Sequence, residues 1–184
     1  MSKSKRICTI TVIVALCLGS NYALSSIPNF KVMDFFVFIS GFIFGPWIGA
    51  STGILVWMIY GVINPYGFVL QVWLATMLSE AIYGLVGGIL GKKISLSNPS
   101  SDYFMISVIL GVTGFILTLV YDFLTNIAYA LAFNIPIIVA IVMGVPFTLV
   151  HEISNAAIFG ICTVPLLNSL QKFIGGERID IIKK

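Results

Sequence analysis

The chain has 184 residues, of which 59% are hydrophobic and 9% are charged, and its mean hydropathy is +1.07. Soluble domains carry about 25% charged residues, so this composition excludes a soluble protein and indicates an integral membrane protein in a lipid bilayer. Six spans of about 20 residues use up the length. We therefore predict one membrane domain over residues 1–184, with no separate catalytic domain. The net charge of +3 follows from basic residues at the loops and termini, and we expect no nucleic-acid partner.

The first apolar run, at about 7–27, follows a basic N-terminus. It fits either a first span or a cleaved signal peptide, and its length and the lack of an A-x-A cleavage site favour the span. Small residues recur every four positions along it, at Ala15, Gly19 and Ala23. Such a face lets another helix approach closely. These three residues are candidates for a partner-docking face, with ordinary internal packing as the open alternative.

The second and third spans are predicted to form a short helical hairpin. The apolar run at 33–44 reaches only about 18 Å, and Gly45-Pro46 separates it from a run at 47–63. The positive-inside rule decides between one crossing and two. With a cytoplasmic N-terminus, the lysines at 92–93 are cytoplasmic only if four crossings precede them, which requires the hairpin.

Three further spans are predicted at about 68–90, 104–133 and 137–167. This arrangement places all ten basic residues except Lys31 on the cytoplasmic side, as the positive-inside rule demands. The sequence therefore predicts an all-α, multi-pass protein of the cell membrane with six transmembrane helices. Both termini are expected to be cytoplasmic.

Ionisable and amide side chains occur in the middle of the last three spans. A charged group there costs at least a few kcal/mol unless it faces a partner or a wet cavity. At 1.5 Å per residue from the outer ends, these groups agree in depth within about one turn. Interhelical hydrogen bonding is the alternative for any single residue, but several ionisable groups at one depth favour a site. The substrate-binding candidates are Glu80, Asp122, Asn126, His151, Glu152 and Asn155.

Two other groups of residues are candidates for contact with a substrate at this depth or at its outer side. Lys31 and Asp34 fall at the external loop between the first two spans, where they can either cover the site as a lid or remain as solvated surface charges, and we favour solvation. Aromatic residues offer stacking surfaces for a planar ligand, although interfacial anchoring and core filling explain most such residues. The aromatic candidates are Trp57, Tyr60, Trp73, Tyr83 and Tyr121.

The same sequence argues against several chemistries. It contains one histidine, so we expect no metal site and no cofactor. Gly91-Lys92 resembles the end of a phosphate-binding loop but lacks its first glycine and its Ser/Thr, so no ATP site is predicted. No pair of a nucleophile and a base stands out, which argues against an enzyme. If the protein pumps a solute, the energy comes from a partner or from an ion gradient.

Four motifs follow one another along the chain in the same order as in a known protein family. They are Ala15-x-x-x-Gly19, the Gly45-Pro46-Trp47-Ile48-Gly49 hairpin, Tyr121-Asp122-x-x-Thr125-Asn126, and His151-Glu152-Ile153-Ser154-Asn155. Together they resemble the substrate-binding S components of energy-coupling factor (ECF) vitamin transporters. In that family the first helix docks through Ala-x-x-x-Ala, and Gly19 preserves the small size at the second position.

The resemblance implies a six-helix protein that binds a vitamin or a similar micronutrient near its outer side, under the loop between the first two helices. It also implies docking on a transmembrane T component driven by two ABC-type ATPases, and toppling in the membrane to release the substrate inside. An ECF substrate-binding subunit is thus the leading hypothesis. The acidic excess favours a cationic or donor-rich substrate, and the sequence does not identify the vitamin.

Two other functions stay open. A self-sufficient proton-coupled carrier would use Asp122 and Glu152 as proton relays and would need no ATPase. No inverted repeat of the kind common in such carriers is evident in the sequence, which disfavours this alternative. A membrane scaffold without transport activity is the third possibility.

Overall fold

The computed structural model describes residues 2–65, 67–94 and 102–173, and this part of the chain is helical without strands. All of the helices except α2 are long and apolar enough to cross a membrane. The prediction of a multi-span, all-α membrane protein is confirmed. The helices are α1 (Lys3–Ala23), α2 (Met33–Phe44), α3 (Pro46–Ile63), α4 (Leu70–Lys93), α5 (Tyr103–Phe133) and α6 (Ile137–Phe173).

Local capping sets several helix ends. The Ser2 hydroxyl accepts a hydrogen bond from the Lys5 backbone N–H at 3.4 Å, so α1 starts earlier than the predicted run at 7–27. It also ends earlier, at Ala23. The Asp102 carboxylate accepts from the Met105 N–H at 3.0 Å and caps α5. Part of the predicted cytoplasmic loop and tail, including Arg178, lies outside the described residues. The orientation of the termini stays a prediction.

A single glycine joins α2 to α3. Gly45 has φ 99° and ψ 161°, a backbone conformation that residues with a Cβ atom rarely adopt. Pro46 follows at the first position of α3, where its missing N–H costs no helical hydrogen bond. The chain therefore reverses direction in one residue, and α2 returns against α3 as the predicted hairpin requires.

Three glycines allow α2, α3 and α4 to touch through their backbones. A Cβ built at Gly49 would lie 2.6 Å from the Gly41 Cα and 2.6 Å from the Gly84 carbonyl oxygen, closer than atoms can pack. A Cβ at Gly84 would likewise overlap the backbone of Gly49. Small residues are the usual means of close helix contact in membranes. This crossing holds the short α2 between its neighbours.

We expect Gly84→Ala to destabilise the protein. The added methyl group has only backbone atoms to displace, so overpacking should cost about 1–3 kcal/mol and lower the melting temperature in detergent. Gly19→Ala is the matched control, because a Cβ at Gly19 meets nothing within 4 Å and alanine favours the helix. An unchanged melting temperature for Gly84→Ala would contradict the backbone contact.

The remaining helices complete the bundle around α2 and α4. Helices α5 and α6 run antiparallel and approach closely at two glycines, since a Cβ at Gly160 would lie 3.2 Å from the Ser107 carbonyl oxygen and 3.5 Å from the Gly111 Cα. Helix α4 packs on α5, and α1 packs on α2 and α3. The described loop residues at 24–32, 64–65, 67–69 and 134–136 thus lie at one end of the bundle, which we call the Lys31 end.

Candidate functional site

His151 on α6 lies between two carboxylates from other helices. Its Nε2 is 2.6 Å from the Asp34 Oδ2 on α2, and its Nδ1 is 3.0 Å from the Asp122 Oδ1 on α5. All three residues are buried. A neutral imidazole has one N–H and can donate to only one carboxylate, whereas an imidazolium donates to both. Both contacts can therefore be hydrogen bonds only if the imidazole carries a second proton or one carboxyl is protonated.

Asn155 extends this network one turn further along α6. Its Nδ2 donates to the Asp34 Oδ2 at 2.7 Å and to the Thr118 Oγ1 at 2.8 Å. The Tyr83 hydroxyl on α4 also donates to Thr118, at 2.9 Å. We call Asp34, Thr118, Asp122, His151 and Asn155 the central polar cluster. It connects α2 and α4 to α5 and α6 through buried hydrogen bonds.

Glu80 on α4 adjoins the central polar cluster. Its Oε2 accepts a hydrogen bond from the Trp57 Nε1 at 3.1 Å, and its carboxyl group lies beside that of Asp34. Several fully buried acceptors find no hydrogen-bond donor among the described residues, namely Asp34 Oδ1, Glu80 Oε1 and Asn155 Oδ1. Buried polar groups are normally hydrogen-bonded. A protonated carboxyl, a ligand or a water molecule can each supply the donor that these oxygens lack.

A cavity of about 260 Å³ lies between this cluster and the Lys31 end. We call it the Asp122 cavity. Its polar wall contains Asp122, Thr125 and Asn126, and the rings of Trp57 and Tyr121 supply an aromatic wall. Ligand sites are typically concave and largely apolar with a few placed polar groups. The lining of this cavity matches that pattern.

Lys31 reaches over the aromatic wall. Its Nζ lies 4.8 Å from the centroid of the Tyr121 ring and 5.3 Å from that of Trp57, within the range of cation–π attraction. Lys31 also borders a second cavity of about 230 Å³, the loop cavity, which lies under residues 24–31. The side chain thus stands between two spaces of similar size.

The sequence matches the model of the family described as ECF-type riboflavin transporter, S component, over residues 1–172. The chain belongs to this family of S components. The match covers nearly the whole chain and confirms the resemblance drawn from the four motifs. This family is a class of transporter and not of enzyme. No curated protein and no solved structure matches the chain.

The S component brings most of the predicted site residues together. Asp122 and Asn126 line the Asp122 cavity, while His151 and Asn155 lie behind it in the central polar cluster and Glu80 adjoins that cluster. Asn126 packs against Gly144, where a Cβ would lie 2.7 Å from the Asn126 Oδ1. The role of these residues in binding stays a prediction.

Glu152 lies near Asp122 and His151 but does not belong to the central polar cluster. It is buried, but its Oε1 has no hydrogen-bond partner among the described residues. It is also absent from the described residues that line the Asp122 cavity. Glu152 follows His151 directly, so its side chain leaves α6 in another direction.

Sequence reasoning missed Asp34. The interpretation of Asp34 as a solvated surface charge is wrong, because its side chain is fully buried and bonded to His151 and Asn155. The residue lies in the first turn of α2, where a carboxylate is favoured by the helix N-terminus. Two signals were present in the sequence: an acid at the start of an apolar run, and a lone intramembrane histidine that needs a charged partner.

The five aromatic candidates divide between the cavities and helix packing. Trp57 and Tyr121 line the Asp122 cavity, and Tyr60 lines the loop cavity. Tyr83 belongs to the hydrogen-bond network, and the Trp73 Nε1 donates to the Trp57 carbonyl oxygen at 2.8 Å. Stacking on a planar ligand stays a prediction for the cavity-lining aromatics.

The small-residue face of α1 points away from the rest of the bundle. Ala15, Gly19 and Ala23 are exposed and lie along a shallow apolar groove with Leu16 and Phe36. A Cβ at Gly19 would meet nothing within 4 Å. Internal packing within the described residues therefore does not explain these small residues. The groove is open at the surface of the bundle.

Proposed function

We propose that this S component is the substrate-binding membrane subunit of an ECF-type importer. It captures a vitamin-sized molecule from outside and delivers it together with a T component and two ABC ATPases. The observation that supports the proposal is the Asp122 cavity, which lies beside the loop between α1 and α2 in a chain of this family. The description of this family makes riboflavin the first vitamin to test.

The orientation in the membrane forms part of this proposal. Lys92 and Lys93 lie at the C-terminal end of α4, opposite the Lys31 end, and the positive-inside rule assigns such a pair to the cytoplasm. Both termini are then cytoplasmic, and both cavities open toward the outside of the cell membrane. We treat residues 1–184 as one membrane domain in this arrangement.

We propose that the T component docks on the apolar groove of α1. Gly19→Leu should abolish complex formation and uptake, because a leucine side chain fills the groove that a partner helix would enter. Ligand affinity should stay intact, since the groove does not share lining residues with the Asp122 cavity in the described part of the chain. Co-purification with the T component and a separate binding assay measure the two effects.

Leu16→Met is the control for this prediction. It keeps an apolar side chain of similar volume at a neighbouring position of the groove, so docking should change little. Loss of ligand affinity in Gly19→Leu together with intact docking would contradict the docking face.

Native mass spectrometry of the gently purified protein tests the proposed function directly. We expect a vitamin-sized adduct on the S component and co-purifying T and ATPase subunits. Reconstitution of these subunits in vesicles should then give uptake that requires ATP. A bare protein that supports no uptake with any T component and ATPase pair would overturn the proposal.

The contact of His151 with both Asp34 and Asp122 favours a second candidate, a proton-coupled carrier. These three groups connect the Asp122 cavity to the buried Glu80 through titratable side chains. Such a carrier predicts uptake from a pH gradient alone, in vesicles without ATPases. In this candidate His151 and Asp34 act as relays in place of Glu152, because Asp122 contacts one nitrogen of the His151 imidazole and Asp34 contacts the other. ATP-dependent uptake that ignores the pH gradient would exclude this candidate.

A further inference from the structure

Two buried carboxyl groups, those of Asp34 and Glu80, lie side by side with one free oxygen each. The Asp34 Oδ2 is contacted by His151 and Asn155, and the Glu80 Oε2 accepts a hydrogen bond from Trp57. The other two oxygens, Asp34 Oδ1 and Glu80 Oε1, have no hydrogen-bond partner among the described residues. The two carboxyl groups are within reach of a hydrogen bond to each other. One proton between the two free oxygens would satisfy both.

This pair of carboxyl groups is closed off from the two cavities. Asp34 and Glu80 have no exposed surface, and neither is among the described residues that line the Asp122 cavity or the loop cavity. A ligand in either cavity therefore does not reach the two free oxygens in this arrangement of the helices. The pair itself is the nearest source of the missing donor.

The surroundings of the two groups decide which one carries the proton. Two carboxylates in contact repel each other, so one of them takes up a proton. Asp34 is contacted by the His151 Nε2 at 2.6 Å and by the Asn155 Nδ2 at 2.7 Å, and it lies in the first turn of α2, where a negative charge is favoured. Glu80 accepts from the uncharged indole N–H of Trp57 at 3.1 Å. The proton therefore belongs to Glu80.

We propose that Glu80 is a neutral carboxylic acid whose Oε1 donates a hydrogen bond to the Asp34 Oδ1, and that it is a positioning residue of the substrate site. Asp34 contacts one nitrogen of His151, and the other nitrogen contacts Asp122, which lines the Asp122 cavity. Glu80 thus acts on the cavity through these three side chains in series. The effect on the substrate rests on the proposed function, whereas the proton on Glu80 does not.

Infrared spectroscopy tests the proton directly. The C=O stretch of a protonated carboxylic acid absorbs apart from the bands of carboxylates and of the amide backbone. We expect this band in the wild type at neutral pH in nanodiscs, and its loss in Glu80→Gln. Asp102→Asn is the control, because Asp102 is an exposed N-cap of α5 whose ionised carboxylate contributes no such band.

Two substitutions of Glu80 separate its hydrogen bonds from its volume. In Glu80→Gln the amide Nε2 can donate to Asp34 and the Oε1 can accept from Trp57, so the affinity for riboflavin should stay within about threefold of that of the wild type. Glu80→Leu keeps the approximate size but leaves Asp34 without this donor. Its affinity should fall by about tenfold or more. Calorimetry measures both affinities, and melting curves confirm that the variants are folded.

An unchanged infrared band in Glu80→Gln would overturn the inference. Equal losses of riboflavin affinity in Glu80→Gln and Glu80→Leu would also overturn it, because the neutral amide would then fail to replace the acid. Either result leaves the proposed function standing if ATP-dependent uptake is seen. Absence of uptake for every vitamin tested would refute the proposed function, but the infrared band needs no ligand and still decides whether Glu80 carries the proton.

Discussion

His151→Ala is expected to lower the free energy of unfolding by about 3–5 kcal/mol, the range for removing one partner of a buried ion pair. The substitution leaves the Asp34 and Asp122 carboxylates buried without the imidazole that contacts both, at 2.6 and 3.0 Å. It also opens a cavity next to Tyr121, whose ring centroid is 5.7 Å from that of His151. Equilibrium unfolding in detergent micelles measures the loss.

A double-substitution cycle separates the charge effect from the lost packing. In an Asp34→Asn background, His151→Ala removes the partner of one carboxylate, Asp122, instead of two, so the further loss of stability should be smaller. Ile153→Ala is the control on the same helix, because its side chain is 63% exposed and its truncation removes little buried surface. Strictly additive losses of stability for His151→Ala and Asp34→Asn would contradict an interaction between His151 and Asp34.

Most of the fold could be predicted because a lipid bilayer restricts the secondary structure of the segments that cross it. Without water to satisfy the backbone, a membrane-crossing segment in a chain of this composition must be helical, so the apolar runs give the helices directly. The predicted runs at 33–44 and 104–133 nearly coincide with α2 and α5. What the sequence could not show is which helices meet. The crossing at Gly41, Gly49 and Gly84 depends on tertiary packing and was not predicted.

The depth of the candidate site residues in the membrane could be predicted, but the contacts between their side chains could not. A constant rise per residue places Glu80, Asp122 and His151 at similar levels, and the structure has them in one connected region. Depth does not tell which way a side chain points around its helix. Asp34 was therefore missed as the link between them, although it lies at the start of α2 where loop and helix are hard to separate from sequence.

Asp122→Asn should reduce by about ten- to a hundredfold the affinity for the vitamin-sized molecule that we expect to co-purify with the wild type. A hydrogen bond to a charged group contributes about 1.5–3 kcal/mol, and Asp122 is the carboxylate that lines the Asp122 cavity. The asparagine oxygen can still accept from the His151 Nδ1, which lies 3.0 Å from the Asp122 Oδ1. Binding should therefore fall while the protein remains folded, which calorimetry and a melting curve check together.

Glu152→Gln tests whether the loss of ligand affinity in Asp122→Asn comes from the position of Asp122 in the cavity or from the total negative charge of the interior. It removes the same formal charge from the residue next to His151, but outside the described lining of the Asp122 cavity. If Asp122 contacts the ligand, Glu152→Gln should change affinity at most a fewfold, because its effect acts only through a more distant field. Equal losses for both variants would mean that the acidic interior attracts the ligand as a whole. That result would contradict a direct contact between Asp122 and the substrate.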